Sequence, residues 1–175
     1  MNITWAATRA TGLVSLILLS IVAVLGIAYA GGWGSAKFPK LMTAGLHRRM
    51  SLLAVVFLFL HILTTVIDGY VPVSWLNVIV PFTSSYKTLW VGLAAISVDL
   101  LIAITVTSLL RNKINLKWWK YIHYLAYVAW VLALLHALGA GTDRGITQVI
   151  AGISVAVVMA TALVRVYSLR EARAW

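Results

Sequence analysis

The chain has 175 residues, 62% hydrophobic and only 10% charged, with a formal net charge of +10. A soluble domain is nearer half apolar and a quarter charged, so this is an integral membrane protein, short enough for one domain of a few helices. Its cations cluster in loops between apolar runs, which argues for membrane topology rather than nucleic-acid binding, and the absence of cysteine excludes disulfides, cysteine-ligated iron–sulfur clusters and thiol catalysis.

Five apolar segments each reach the roughly 20 residues a spanning helix needs. The first runs from Thr11 to Ala30. It follows Arg9 and ends in Ala28-Tyr29-Ala30, a pattern shared with signal-peptidase sites. A signal peptide keeps its positive end in the cytoplasm, whereas here Lys37, Lys40, Arg48 and Arg49 come after the apolar run. That balance predicts a retained helix with its N-terminus outside. The second segment, Ala44 to Ile67, contains His47 and His61. The nearly neutral loop from Asp68 to Lys87 is expected outside. Within it, Val71 to Phe82 is apolar, too short to span and bounded by Pro72 and Pro81, which suggests a short amphipathic or re-entrant piece along the outer surface. Such a piece could cap a cofactor, dock a partner or simply pack at the interface.

The third segment, Thr88 to Leu110, carries Asp99 near its middle. The loop with Arg111, Lys113, Lys117 and Lys120 is strongly basic and therefore expected inside. The fourth segment, Trp118 to Leu138, contains His123 and His136. Asp143 and Arg144 cancel in a short outer turn before the fifth segment, Ile146 to Tyr167. Arg165, Arg170 and Arg173 outnumber Glu171 at the C-terminal end, which is expected in the cytoplasm. The predicted fold is an all-α integral membrane bundle of five transmembrane helices, residues 1–175 forming one domain in the cytoplasmic membrane. Trp5, Trp33, Trp75, Trp90, Trp118 and Trp119 fall near the predicted interfaces, as an aromatic belt would.

All four histidines lie in spanning segments, where an ionisable side chain is by default a functional-site hypothesis. His47 and His61 are 14 residues apart, and His123 and His136 are 13 apart. At 1.5 Å per residue both separations are roughly 20 Å along the helix. The second and fourth segments run in the same direction, so His47 pairs in depth with His123 near the cytoplasmic face and His61 with His136 nearer the outer face. Two imidazoles per level suit the two axial positions of a haem iron. With no Cys-x-x-Cys-His attachment sequence such a haem is of b type, and two axial histidines leave no open position for oxygen, which suits electron transfer. The azimuths fit less well. Fourteen residues fall about 40° short of four turns, which keeps His47 and His61 on one face, whereas thirteen fall about 140° short. Either the fourth helix is distorted or its two histidines serve their sites from different sides. Zinc would find only two imidazoles per level, too few for the usual tetrahedral site.

A histidine pair 14 apart on one helix and a pair 13 apart on the helix two further on resemble the ferric-reductase-like transmembrane domain. That domain is shared by metalloreductases, NADPH oxidases and bacterial haem membrane reductase subunits. The resemblance covers roughly Arg9 to Tyr167, and Thr8-Arg9-Ala10-Thr11-Gly12 with Leu46-His47-Arg48-Arg49 look most like actinobacterial members. It implies that His47, His61, His123 and His136 are the axial ligands of two b haems and that electrons pass from the cytoplasm outward. The flavin and nicotinamide domains of the oxidases and metalloreductases have no counterpart here.

Haem propionates are anionic, which makes Arg48, Arg49, Lys117 and Lys120 candidates at the inner level and Arg9 and Arg144 candidates outside. Positive-inside topology already accounts for the inner group but not for Arg9. Trp130 and Phe57 are candidates to fill the space between the levels. Asp99 suggests either a proton relay or a hydrogen bond to Tyr124 or Tyr127. The function expected is transmembrane electron transfer through two stacked b haems. The donor would be a separate flavoprotein reductase or quinol, and the acceptor an extracytoplasmic molecule or partner. The alternatives are a quinol-oxidising anchor subunit of a larger reductase and a non-redox membrane scaffold or transporter.

Overall fold

The computed structural model describes residues 3–33, 40–69 and 71–171. Lys37 and Arg173, both assigned to the cytoplasmic side by charge, lie outside them. The described residues form α1 (Ile3–Ala30), α2 (Lys40–Asp68), the short α3 (Trp75–Ile79), α4 (Thr88–Leu109), a 3₁₀ turn at Arg111–Lys113, α5 (Leu116–Ala140) and α6 (Arg144–Glu171). The five long helices are each apolar and long enough to cross a membrane. The expected all-α architecture and its five spans are therefore present.

These helices bury little of their bulk among themselves. Leu53, Phe59, Val149, Ile153 and Leu163 are exposed on the outside of the bundle, where lipid is their natural solvent. Much of what is buried is small: Ser15, Ser20, Ser97, Ser154, Ala54, Ala95, Ala129 and Ala151. Hydrocarbon gives no hydrophobic drive for helices to associate, so close approach of small residues and interhelical hydrogen bonds must do it. Two such bonds tie α5 to its neighbours. The Ser97 hydroxyl donates to the Ala129 carbonyl at 2.9 Å, and the Trp130 indole N–H donates to Ser20 Oγ at 2.9 Å. Around Trp130 a small apolar core gathers Leu16 and Ile27 of α1, Leu134 of α5, and Ala151 and Val158 of α6.

α1 packs chiefly along α2, and α4 along α5; α1 also touches α5 and α6. The two histidine helices, α2 and α5, do not pack closely against each other. They are parallel and stand apart, with His47 opposite His123 at one end and His61 opposite His136 at the other.

α1 begins eight residues before the apolar run that identified it. At 28 residues it is about 42 Å long, more than the roughly 30 Å hydrocarbon core, so its first turns reach the polar zone. Their polar groups are held by other helices. Thr4 hydrogen-bonds Asp68 at the end of α2, and Arg9 forms an ion pair with Asp143 just before α6 while lying 4.1 Å over the Trp5 ring. The segment from Val71 to Phe82 folds back over the same end. Ser74 and Asn77 cap α3 reciprocally, with Ser74 N–H donating to Asn77 Oδ1 at 2.8 Å. Trp75, Leu76 and Ile79 face outward, while Asn77 is buried. Phe82, held at a left-handed φ of 63°, presses its ring onto α4 where Gly92 leaves room; a Cβ there would lie 2.2 Å from the ring.

Candidate functional site

The histidine rings meet in two facing pairs. The centroids of His47 and His123 are 6.0 Å apart with planes at 65°, and those of His61 and His136 are 6.5 Å apart at 69°. The depth pairing expected from the sequence is therefore the arrangement found. A direct N–H···N bond would bring the nitrogens to about 3 Å, and neither pair makes one. A metal–imidazole bond is about 2 Å, and a five-membered ring with bonds of about 1.35 Å has a radius of about 1.1 Å. Two imidazoles on opposite sides of one metal ion therefore have centroids about 6 Å apart, which is the spacing of both pairs.

α1 sets the orientation of the α2 rings. His61 Nδ1–H donates to the Thr8 carbonyl at 2.9 Å, and His47 Nδ1–H to the Val22 carbonyl at 3.1 Å. Both rings lie over glycines. A Cβ on Gly12 would stand 2.8 Å from Cε1 and 2.9 Å from Nδ1 of His61, and one on Gly26 would stand 3.4 Å from Cε1 of His47. Gly12 and Gly26 are 14 residues apart, as are His47 and His61, so the antiparallel helices repeat one motif at two levels: a glycine that admits the ring and a carbonyl one turn earlier that takes its proton. On α5, His136 Nδ1–H donates to the Trp90 carbonyl at 2.9 Å. In each case the bond at Nδ1 leaves the Nε2 lone pair free for a metal. His123 differs: its Nδ1 is buried without a partner, and its ring stacks on Trp119 at 4.8 Å.

The two histidines of α5 rest on different neighbours. α5 is α-helical from Leu116 to Ala140 without a break. Its two imidazoles leave in different directions, His136 against α4 and His123 along its own helix onto Trp119.

Each pair borders a cavity. The larger, of about 240 Å³, includes His61, His136, Gly12, Thr8 and Arg9 and extends under α3 to Asn77. The smaller, of about 120 Å³, includes His47, His123, Ser51, Tyr127 and Trp130. Leu19, Leu58 and Leu101 line both and form the partition. Of the two aromatics considered for that space, Trp130 borders the smaller cavity and Phe57 borders neither. Thr8 Oγ1 and Arg9 Nε are buried without hydrogen-bond partners at the larger cavity. Arg48, Arg49, Lys117, Lys120 and Arg144 are exposed and line neither cavity. Asp99 also lines neither and, among the described residues, makes no hydrogen bond to Tyr124 or Tyr127.

The donor set is selective. No group of three or more His, Cys, Asp or Glu side chains is gathered among the described residues, so a protein-only tetrahedral metal site is not built here. Residues 11–134 match the profile of the ferric reductase like transmembrane component. The chain belongs to this family. Family members are multi-pass membrane proteins of electron transfer and generally bind haem. No curated protein and no solved structure matches the chain.

The sequence did not single out Gly26 or the carbonyls of Thr8, Val22 and Trp90, and it placed Trp119 only in the aromatic belt. One signal was available, the shared 14-residue spacing of the two glycines and the two histidines. The glycine cradles differ in tightness, which gives an expected result. Gly12→Ala displaces the His61 ring and destabilises the folded protein by about 1–3 kcal/mol, as overpacking does. Gly26→Ala, where the new contact is ordinary, costs clearly less. Denaturant unfolding of the two variants in one detergent checks the order.

Proposed function

We propose that this chain is a di-haem b cytochrome that carries electrons across the cytoplasmic membrane. His47 and His123 would ligate one iron near the cytoplasmic face, and His61 and His136 the other near the outer face. The observation that carries the reading is the pair of opposed imidazole couples, each at the spacing of trans ligands to one metal. Haem b supplies an iron that accepts and releases one electron without an open coordination position. The protein does the rest. The carbonyls of Thr8, Val22 and Trp90 fix three ligand tautomers, and Leu19, Leu58 and Leu101 keep the path between the levels dry. Arg9, which lines the larger cavity and whose Nε is buried without a partner, is the cation for an outer propionate; Arg48 and Arg49, exposed and outside both cavities, contribute charge to the membrane surface instead. All five spans are unbroken α-helices, with no interrupted helix of the kind that forms a transporter's midplane site.

The direction follows from the loops. Arg111, Lys113, Lys117 and Lys120 crowd the end that holds His47 and His123, and the positive-inside rule places that end in the cytoplasm. Electrons then enter at His47 and His123 from a separate flavoprotein or from quinol, and leave at His61 and His136 to an extracytoplasmic acceptor. The chain has no cysteine, so Lys113→Cys is a clean reporter. A membrane-impermeant maleimide is expected to label it only after the cells are opened. Labelling in intact cells would reverse the topology and the direction of flow.

A further inference from the structure

Three of the four histidines hand their Nδ1 proton to a carbonyl of a neighbouring helix. His123 hands its proton to nothing in the protein, although that nitrogen is buried. Its neighbour Trp119 repeats the pattern. The indole Nε1 is also buried without a partner, on a ring stacked 4.8 Å from His123 at an interplanar angle of 24°. The cation of the group is Arg111, whose guanidinium carbon lies 4.6 Å over the Trp119 ring. The result is a layered stack, Arg111, Trp119, His123, running from the basic loop to the candidate iron ligand. It presents two N–H donors on stacked rings and a positive charge, and no side-chain or backbone acceptor answers the two donors. Buried donors without acceptors are rare in native proteins and call for a missing partner.

We propose that the Arg111–Trp119–His123 stack is an anion site, taking a carboxylate or phosphate oxygen between Trp119 Nε1–H and His123 Nδ1–H under the charge of Arg111. The bound oxygen does for His123 what the carbonyls of Val22, Thr8 and Trp90 do for the other three. The inference rests on the proposed ligand role of His123. An acceptor on the distal N–H raises the basicity of a ligating imidazole, and a more basic ligand favours the ferric over the ferrous state. Occupancy therefore lowers the midpoint potential of the inner haem and leaves the outer haem alone. Two sources have this chemistry: a soluble phosphate, such as one carried by a nucleotide or flavin donor arriving at the basic loop, and the phosphate of a lipid headgroup at the membrane surface.

The test is a redox titration of the detergent-solubilised full chain with and without inorganic phosphate, at fixed pH and ionic strength. The inner component is identified as the one lost in His47→Ala. A saturable fall in the inner midpoint with phosphate, abolished by Arg111→Gln and by Trp119→Phe, supports the site with a soluble occupant. No response to phosphate, but a rise of the inner midpoint in Trp119→Phe with the outer one unmoved, supports the site with a co-purified lipid phosphate as occupant. Trp119→Phe keeps the stacked ring and removes only the N–H, and haem content reports whether it still folds. An inner midpoint unmoved by phosphate and by Trp119→Phe, in protein with both haems present, overturns the proposal. Protein that binds no haem at all would instead overturn the ligand assignment beneath it.

Discussion

Alanine at His61 or His136 removes the outer haem and spares most of the inner one, and alanine at His47 or His123 does the reverse. The haem-to-protein ratio falls from about two to about one in every case, because a bis-imidazole iron that loses one axial ligand loses half of what the protein contributes to its coordination. No substitute is at hand, since no other His, Cys, Asp or Glu side chain is grouped with either pair among the described residues. The effect stays local because the pairs are roughly 20 Å apart in depth and are separated by Leu19, Leu58 and Leu101. The contacts to α1 and α4 add to the loss: with alanine at 136 the Trp90 carbonyl loses its donor, and with alanine at 61 that of Thr8 does. Haem quantification and reduced-minus-oxidised spectra of the four variants check this. Four variants that each retain two haems with unaltered spectra would show that the ligands lie elsewhere.

The second large effect concerns the electron source. The 175 residues contain no Gly-x-Gly-x-x-Gly sequence of the kind that cradles a dinucleotide. Hydride delivers two electrons and haem iron takes one, so a flavin or a quinol must stand between a nicotinamide and this chain. The purified chain with NADPH or NADH alone is expected to reduce its haem more slowly, by about two orders of magnitude or more, than the same chain supplied with a competent flavoprotein or quinol. Stopped-flow absorbance measures the difference. Reduction by a flavoprotein but not by quinol favours the soluble donor, whereas inhibitor-sensitive reduction by quinol favours the anchor-type alternative. Fast reduction by NADPH in protein shown to be free of flavin would contradict the argument.

Much of this architecture is written in the simplest feature of the sequence, the length of its apolar runs. Spans are set by bilayer thickness, so five of them can be counted from composition, and the depth of a residue follows from its position along a straight helix. That is why the His47–His123 and His61–His136 pairings were accessible. Properties that depend on azimuth and on neighbours were not. The first two turns of α1 carry Thr4, Thr8 and Arg9, and Thr4 and Arg9 find partners in Asp68 and Asp143, distant in sequence. The 13-residue spacing on α5 looked like an obstacle because an ideal helix predicts where Cβ points, not how far an imidazole reaches or on what it rests. The exposed Arg48 and Arg49 illustrate the converse: adjacency to His47 in sequence does not bring a side chain into the cavity, since consecutive helical residues diverge by about 100°. Arg9, a helix away from its nearest histidine in sequence, does line one.

The most direct measurement of the central claim is the haem content of the purified wild-type chain together with its reduced-minus-oxidised spectrum. The account predicts about two b haems per chain, both low-spin as two imidazoles require. A colourless protein, or one whose haem is high-spin and binds carbon monoxide freely, would contradict it.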